Sequence, residues 1–285
     1  MTVRVLTDSG ADLPPEVVQA LSISVVPLIV LFGDEVLRDG IDLTTDQFFD
    51  RIVTSPVHPS TSQPSAGAFQ EAFEALAGET DAIVAVLVGA KFSGTVAAAQ
   101  LARDCVSKRC RIEIVDSQSA SLGLGFAVLA AARAAKAGAS VEEVVAAAES
   151  VVRRQHTLAM LDTLVYARRG GRISRVEALL GNLLHVKPVL SVKEEIRALS
   201  RARTRAAGLK RLFELAMDYP DIVEVGVMHA TSPNDADMLA GWVRDRLASV
   251  PIHIARIGPA LGAHGGPGIV GMTVVEGEKA LKEVP

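Results

Sequence analysis

The order of apolar and polar positions divides the chain into two halves. In the first, short apolar runs alternate with helical patterns. Residues 3–6 predict a strand, and residues 14–21 a helix with proline in its first turn. Residues 25–31 predict a second strand, which Pro27 demotes toward an edge or a bulge. Thr44 stands where it can cap a helix whose Phe48, Phe49, Ile52 and Val53 form an apolar face. Ser65 stands likewise before a helix with Phe69, Ala72, Phe73 and Leu76 at i, i+3, i+4 and i+7. Residues 82–88 and 112–115 are unbroken apolar runs, as in strands covered on both faces. An alanine-rich helix follows Ser93, and a glycine- and alanine-rich one begins near Ser119. Ser140 with Glu143 forms a capping box before one more. This alternation builds a parallel sheet wrapped by helices.

The second half reads differently. Strands are expected at 158–161, 188–192, 196–200, 223–229, 252–257 and 269–275, and helices at 176–184, 204–218 and 234–248. The strands at 188–192 and 196–200 are separated only around Glu194-Glu195, so they should form a hairpin. Short hairpin connections with helices gathered elsewhere indicate an α+β unit. A chain of 285 residues exceeds the usual reach of one core. The expected fold is α/β in two domains. Residues 1–152 form a parallel-sheet α/β/α layer domain, and 153–285 an α+β domain with a mixed or antiparallel sheet. The cleft between them is the expected ligand site.

Composition sharpens the picture. Hydrophobic residues make up 49% and aromatic ones only 4%, so the interior must be aliphatic. A net charge of −4 argues against a dedicated nucleic-acid binder. That net figure conceals an imbalance: between Arg168 and Arg211 twelve Lys/Arg face three Asp/Glu. The stretch could steer an anionic partner, or it could be plain solvated surface. Cys105 and Cys110 make neither a zinc-type pair nor a disulfide framework, so a reducing cytoplasm is expected. No signal-peptide layout opens the sequence. The longest apolar run, about 122–132, is interrupted by glycines and is too short to span a bilayer. At most transient membrane contact is expected.

Three turns hold the candidate chemistry: residues 60–65 (Ser-Thr-Ser-Gln-Pro-Ser), 92–95 (Phe-Ser-Gly-Thr) and 264–268 (His-Gly-Gly-Pro-Gly). They combine hydroxyls or an imidazole with glycine or proline and contain no carboxylate, so they read as neutral donors for an anion. Familiar motifs fail nearby. Gly89 and Gly94 have phosphate-loop spacing, but Thr95-Val96 stands where Lys-Ser/Thr is required. Ser93 lacks the glycine two residues earlier that a nucleophile elbow needs. Gly123-Leu124-Gly125 matches no dinucleotide fingerprint, and no histidine pair has metal-ligand spacing. No cofactor or metal is expected. Thr61, Ser65 and Ser93 serve equally well as loop or cap residues, His264 as a turn residue, and Asp8 and Asp116 as turn caps.

In order along the chain stand Thr7-Asp8-Ser9, Thr61-Ser62-Gln63-Pro64-Ser65, Ser93-Gly94-Thr95, Asp116-Ser117, Gly170-Gly171-Arg172-Ile173-Ser174 and His264-Gly265-Gly266-Pro267-Gly268. This set resembles the DegV family, fatty-acid-binding proteins that act with bacterial fatty acid kinase. The resemblance runs essentially from end to end. It implies a two-domain fold with a buried long-chain fatty acid, palmitate-like at about sixteen to eighteen carbons. The carboxylate would be held by Thr61, Ser62, Ser93, Gly94, His264 and Gly265. A separate ATP-binding subunit resembling dihydroxyacetone kinase would phosphorylate it for phospholipid metabolism, so this chain would do no chemistry alone. Arg169, Arg172, Arg201 and Arg203 would face that partner. One departure is the pair Arg168-Arg169, where the family commonly has lysines.

Two other classes compete. A serine hydrolase acting on acyl esters would use Ser93 as nucleophile, His264 as base, and Asp8 or Asp116 to orient it. A DNA-binding module would use the basic stretch, without any helix-turn-helix signal.

Overall fold

The computed structural model describes residues 2–106, 110–171 and 186–278. The helix expected at 176–184 and the candidate Arg172 lie outside these residues. Four strands, β1 (Val3–Asp8), β2 (Ser24–Val26), β6 (Ala82–Leu87) and β7 (Arg111–Asp116), form a parallel sheet in the order β2-β1-β6-β7. All six residues of β6 are buried, in keeping with helices on both faces. The run expected to form one strand at 25–31 divides at Pro27. Its second part, β3 (Ile29–Phe32), enters a separate antiparallel sheet with β4 (Glu35–Arg38) and β5 (Ser60–Ser62), ordered β4-β3-β5. A proline has no N–H for a ladder, so the chain changes sheets there. This small sheet corrects the reading of residues 60–65 as a turn: Thr61 and Ser62 sit on a strand, opposite Val30 and Ile29.

The strands of the other half are β8 (Gln155–Met160), β9 (Lys187–Lys193), β10 (Glu195–Ala202), β11 (Ile222–His229), β12 (Ile252–Arg256) and β13 (Val270–Glu276). They make a mixed sheet ordered β10-β9-β8-β13-β11-β12, in which only β11 and β12 run parallel. The expected hairpin is present, and Glu194 turns it with φ 57°. Alternation along these strands decides what each face meets. Leu158 and Met160 pack with Val270, Met272 and Val274 against two helices, α8 (Arg205–Met217) and α9 (Pro233–Arg246). Thr157 and Ala159 face the opposite way.

In the first half lie α1 (Pro15–Ala20), α2 (Thr45–Thr54), α3 (Ala66–Ala77), α4 (Thr95–Cys105), α5 (Leu122–Lys136) and α6 (Val141–Arg154). Thr44 caps α2 and Ser140 caps α6, each completing a capping box with Gln47 or Glu143. Ser65 accepts from the Ala68 N–H at the start of α3. Ser93 does not cap α4: Gly94 occupies that position. Ten of the fifteen residues of α5 are buried, because it packs against strands of both large sheets.

Two short helices lay beyond the sequence pattern, α7 (Val165–Arg169) and α10 (Pro259–Gly265). The His-Gly-Gly-Pro-Gly segment is therefore not a free turn. His264 lies in the last turn of α10, and the segment gathers no helix N-terminus. Seven residues are too few for a stable isolated helix and Gly262 lowers the propensity further, so packing must hold them. At Gly262 a Cβ would lie 2.6 Å from Phe49 Cζ and 2.9 Å from Phe48 Cε1. Glycine lets α10 sit directly on the aromatic face of α2. Gly262→Ala should destabilise the protein by about 1–3 kcal/mol through this overpacking. A lowered urea midpoint with an unchanged m-value checks it.

Candidate ligand cavity

The parallel strands end on one side of their sheet, and the segments that follow them meet the inner face of the six-stranded sheet. Leu28, Val88 and Ser121 come from the first set; Thr157, Val192 and Met228 come from the second. Between them, under α10, lies a cavity of about 1130 Å³ with its mouth included. The position follows the general rule that α/β sheets bind ligands beyond the carboxyl ends of their strands. Most of the wall is aliphatic, with Ala159, Leu161, Leu190 and Ile257 typical of it.

The polar residues gather where β5, the Ser93 turn and α10 approach one another. Thr61 Oγ1 and His264 Nε2 are 2.7 Å apart, a hydrogen bond whose direction depends on the imidazole tautomer. Ser62, Ser93 and Gly265 line the same cavity. The Ser93 hydroxyl pairs with Thr95 Oγ1 at 2.7 Å and accepts from the Thr95 N–H at 3.3 Å. Gly94 is not on the wall. It lies behind Gln63, whose Cδ would be 3.1 Å from a Cβ placed there. The structure thus brings together Thr61, Ser62, Ser93, His264 and Gly265, and sets Gly94 one layer back.

Sequence reasoning overlooked Gln63 as a wall residue and α7 as the support of His264. A Cβ at Gly170 would collide with His264 Nδ1, so only glycine leaves room for that ring. The Gly170-Gly171 pair was the available signal. Beside it the His58 and Tyr166 rings lie 5.8 Å apart. Burial and the Arg169 charge hold His58 below its usual value, favouring the neutral imidazole.

The hydrolase constellation is not assembled. His264 Nε2 bonds Thr61 rather than Ser93, and Ser93 is engaged with Thr95. Asp116 Oδ1 accepts from the Ala90 and Gln118 N–H groups, while Asp8 accepts from Gly10 and Val88. Both aspartates are turn caps. Among the described residues of the basic stretch several cations are held in ion pairs, including Lys187–Asp162 at 2.8 Å, Arg205–Asp235 at 2.7 Å and Arg197–Glu195 at 2.6 Å. Arg169, Arg201 and Arg203 are exposed and off the cavity wall. Among the described residues no group of three or more His, Cys, Asp or Glu could hold a metal ion, and no helix is long and apolar enough to cross a membrane.

A family model described as "Uncharacterised protein, DegV family" matches residues 2–277. The chain belongs to the DegV family. A DegV domain-containing protein of Streptomyces coelicolor is 36% identical over 278 residues, covering 95% of this chain and 98% of that one. One from Caldanaerobacter subterraneus is 32% identical over 275 residues, covering 95% and 97%. Among solved structures, a fatty-acid-binding DegV family protein from Thermus thermophilus aligns with a TM-score of 0.87 at 30% identity, covering 97% of this chain and all of the other. DegV from Bacillus subtilis, a fatty acid binding protein, aligns with the same TM-score at 29% identity and the same coverage.

The role of Gly170 in this DegV protein is directly testable. Gly170→Ala should push the imidazole out of its seat and break the bond to Thr61. The His264 ring-nitrogen NMR shifts should then move toward those of Thr61→Val; unchanged shifts would refute the contact.

Proposed function

We propose that this DegV protein holds one long-chain fatty acid in the cavity, with its carboxylate at the Thr61–His264 end, and performs no chemistry alone. The observation that carries the reading is the distribution of polarity: hydroxyls and an imidazole gather at one end of a mostly aliphatic cavity, while Ser121 and Thr157, which line it elsewhere, are engaged by Asp12 and by Ser119, Gln155 and Thr273. A carboxylate taken out of water needs several donors or it protonates. Thr61, Ser62 and Ser93 can donate, and His264 adds a charge-assisted bond when protonated. The methylene chain gains about 0.8 kcal/mol per buried CH₂ against the aliphatic wall. The fatty-acid binding of the Thermus and Bacillus relatives supports the same reading.

The finer part of the proposal is presentation to an ATP-binding kinase subunit. There a carboxylate oxygen attacks the γ-phosphorus of ATP, the bond to the bridging oxygen breaks, and ADP leaves with an acyl phosphate formed. Arg169, Arg201 and Arg203, exposed outside the cavity, suit docking to an acidic partner surface. A reducing cytoplasmic setting belongs to this reading, in which Cys105 and Cys110 stay as free thiols.

Organic extraction of the purified protein followed by mass spectrometry should yield one fatty acid per chain. No lipid, together with no calorimetric binding of added palmitate, would sink the proposal. Thr61→Val and Ser93→Ala should each weaken palmitate binding by about 1–3 kcal/mol. Wild-type affinity in the double variant would place the carboxylate elsewhere.

Docking is tested separately. Reversing Arg169 and Arg201 to glutamate should leave the lipid content intact and slow acyl phosphate formation, while the wild-type rate falls as salt rises. Loss of lipid would place these arginines in binding instead, and full turnover would return them to plain surface.

A further inference from the structure

Three carboxyl groups stand behind the cavity wall, outside the polar end just described. Asp8 closes β1, Asp12 follows the short 3-10 turn Ser9–Ala11, and Asp39 follows β4. Asp8 and Asp39 are buried; Asp12 is half-buried, with its carboxyl directed at interior donors. Their hydrogen bonds reach the segments that form the wall. Asp8 accepts from the Val88 N–H at 2.7 Å. Asp12 accepts from the Ser121 hydroxyl at 2.6 Å and from the Gly258 N–H at 2.9 Å. Asp39 accepts from the Ala260 N–H at 3.3 Å and from the Ser9 hydroxyl at 2.8 Å, and Ser9 Oγ in turn accepts from the Leu28 N–H at 3.0 Å. Leu28, Val88, Ser121 and Ala260 all line the cavity. Two of the bonds hold the start of α10, whose far end carries His264.

No cation compensates these groups among the described residues. Arg38, next to Asp39, is turned to Asp42 at 2.8 Å. Arg256, near Gly258, is turned to Asp46 at 2.6 Å and to the Ala230 carbonyl. From α10 the one titratable group is His264, bonded to Thr61; the β6 and α5 segments contribute only Val88 and Ser121. A buried carboxylate without a counter-ion holds its proton more tightly than one in water; the donors to Asp8, Asp12 and Asp39 pull the other way but do not outweigh burial.

We propose that Asp8, Asp12 and Asp39 are positioning residues that form a proton-linked hub for the cavity wall, holding α10 closed while protonated and loosening it as the protons leave. Burial raises Asp8 to about 7, Asp12 to about 8 and Asp39 to about 6, from an ordinary value of 3.8; Asp39 adds repulsion to the other two. The sign follows from proton counting. The closed wall binds more protons than an opened one between about pH 4 and 8, so its stability falls as pH rises through that window. For each pH unit crossed inside it, one such carboxyl changes the closing equilibrium about tenfold.

Asp39→Asn is the cleanest probe, because both donors to Asp39 reach the same oxygen, which an amide retains. Asp12→Asn keeps one acceptor for Gly258 and lets the Ser121 hydroxyl reverse. Hydrogen exchange of the α10 amides, corrected for intrinsic rate, should show wild-type opening rising by about a hundredfold or more from pH 5.5 to 8.5. The slope should be reduced in either variant and smallest in the double variant, where Asp8 alone remains. Release of cis-parinaric acid should follow the same profiles. The exchange arm needs no ligand, so it separates failure of the hub from failure of the fatty-acid reading. The difference between wild type and Asp39→Asn at each pH removes the His264 contribution. A flat wild-type exchange profile would overturn the hub even if no variant folds, and so would equal slopes in wild type and variants.

Discussion

The hydrogen bond between Thr61 and His264 closes the cavity at its polar end, and it joins residues 203 positions apart. Much of the local structure is arranged around it. Thr61 is delivered by a three-residue strand that exists only because β3 pairs with it. His264 is delivered by a helix too short to stand alone, seated on the aromatic face of α2 and given space by the glycine that follows α7. Neither side chain could hold its place by local propensity. The polar end is therefore a product of tertiary packing, and a fault in any of those contacts reaches it.

The same bond bears on the proposed role, which is to hold a ligand rather than to transform it. A catalytic imidazole needs a nucleophile on one nitrogen and an orienting acceptor on the other. Here Nε2 of His264 is occupied by a threonine, and the nearby serine is engaged with a second hydroxyl. In the proposed reading the hydroxyls turn from these partners to donate to the arriving carboxylate, and no covalent bond is made or broken. A constellation of small, mutually paired donors is preorganised for an anion and poorly equipped to attack an acyl carbon.

The parallel sheet, the hairpin and the capped helices were legible in the sequence, because periodicity and capping act over a few residues. Thr61, Ser62, Ser93, His264 and Gly265 were singled out as neighbours of one ligand through family motifs, and the fold does gather them. Gly94, chosen with them, proved to back Gln63. Pro27 marked trouble in its strand, yet nothing local revealed that the chain changes sheets there. The small sheet and α10 escaped notice because their stability comes from partners distant in sequence, which a local pattern cannot encode. The basic stretch looked uniform until Asp162, Asp235 and Glu195 were seen to pair with part of it.

Helix α5 has a mechanical consequence. It is apolar on nearly all sides and touches β1 and β6 of one sheet as well as β8, β11 and β13 of the other. Leu122 and Phe126 lie against Gly226 of β11, and Phe126 meets His253 of β12 edge-on, at 5.4 Å. A hinge that swung the two sheets apart would strip this helix of one of its coats and wet a continuous aliphatic surface. Swinging the two sheets apart is thus the costly motion.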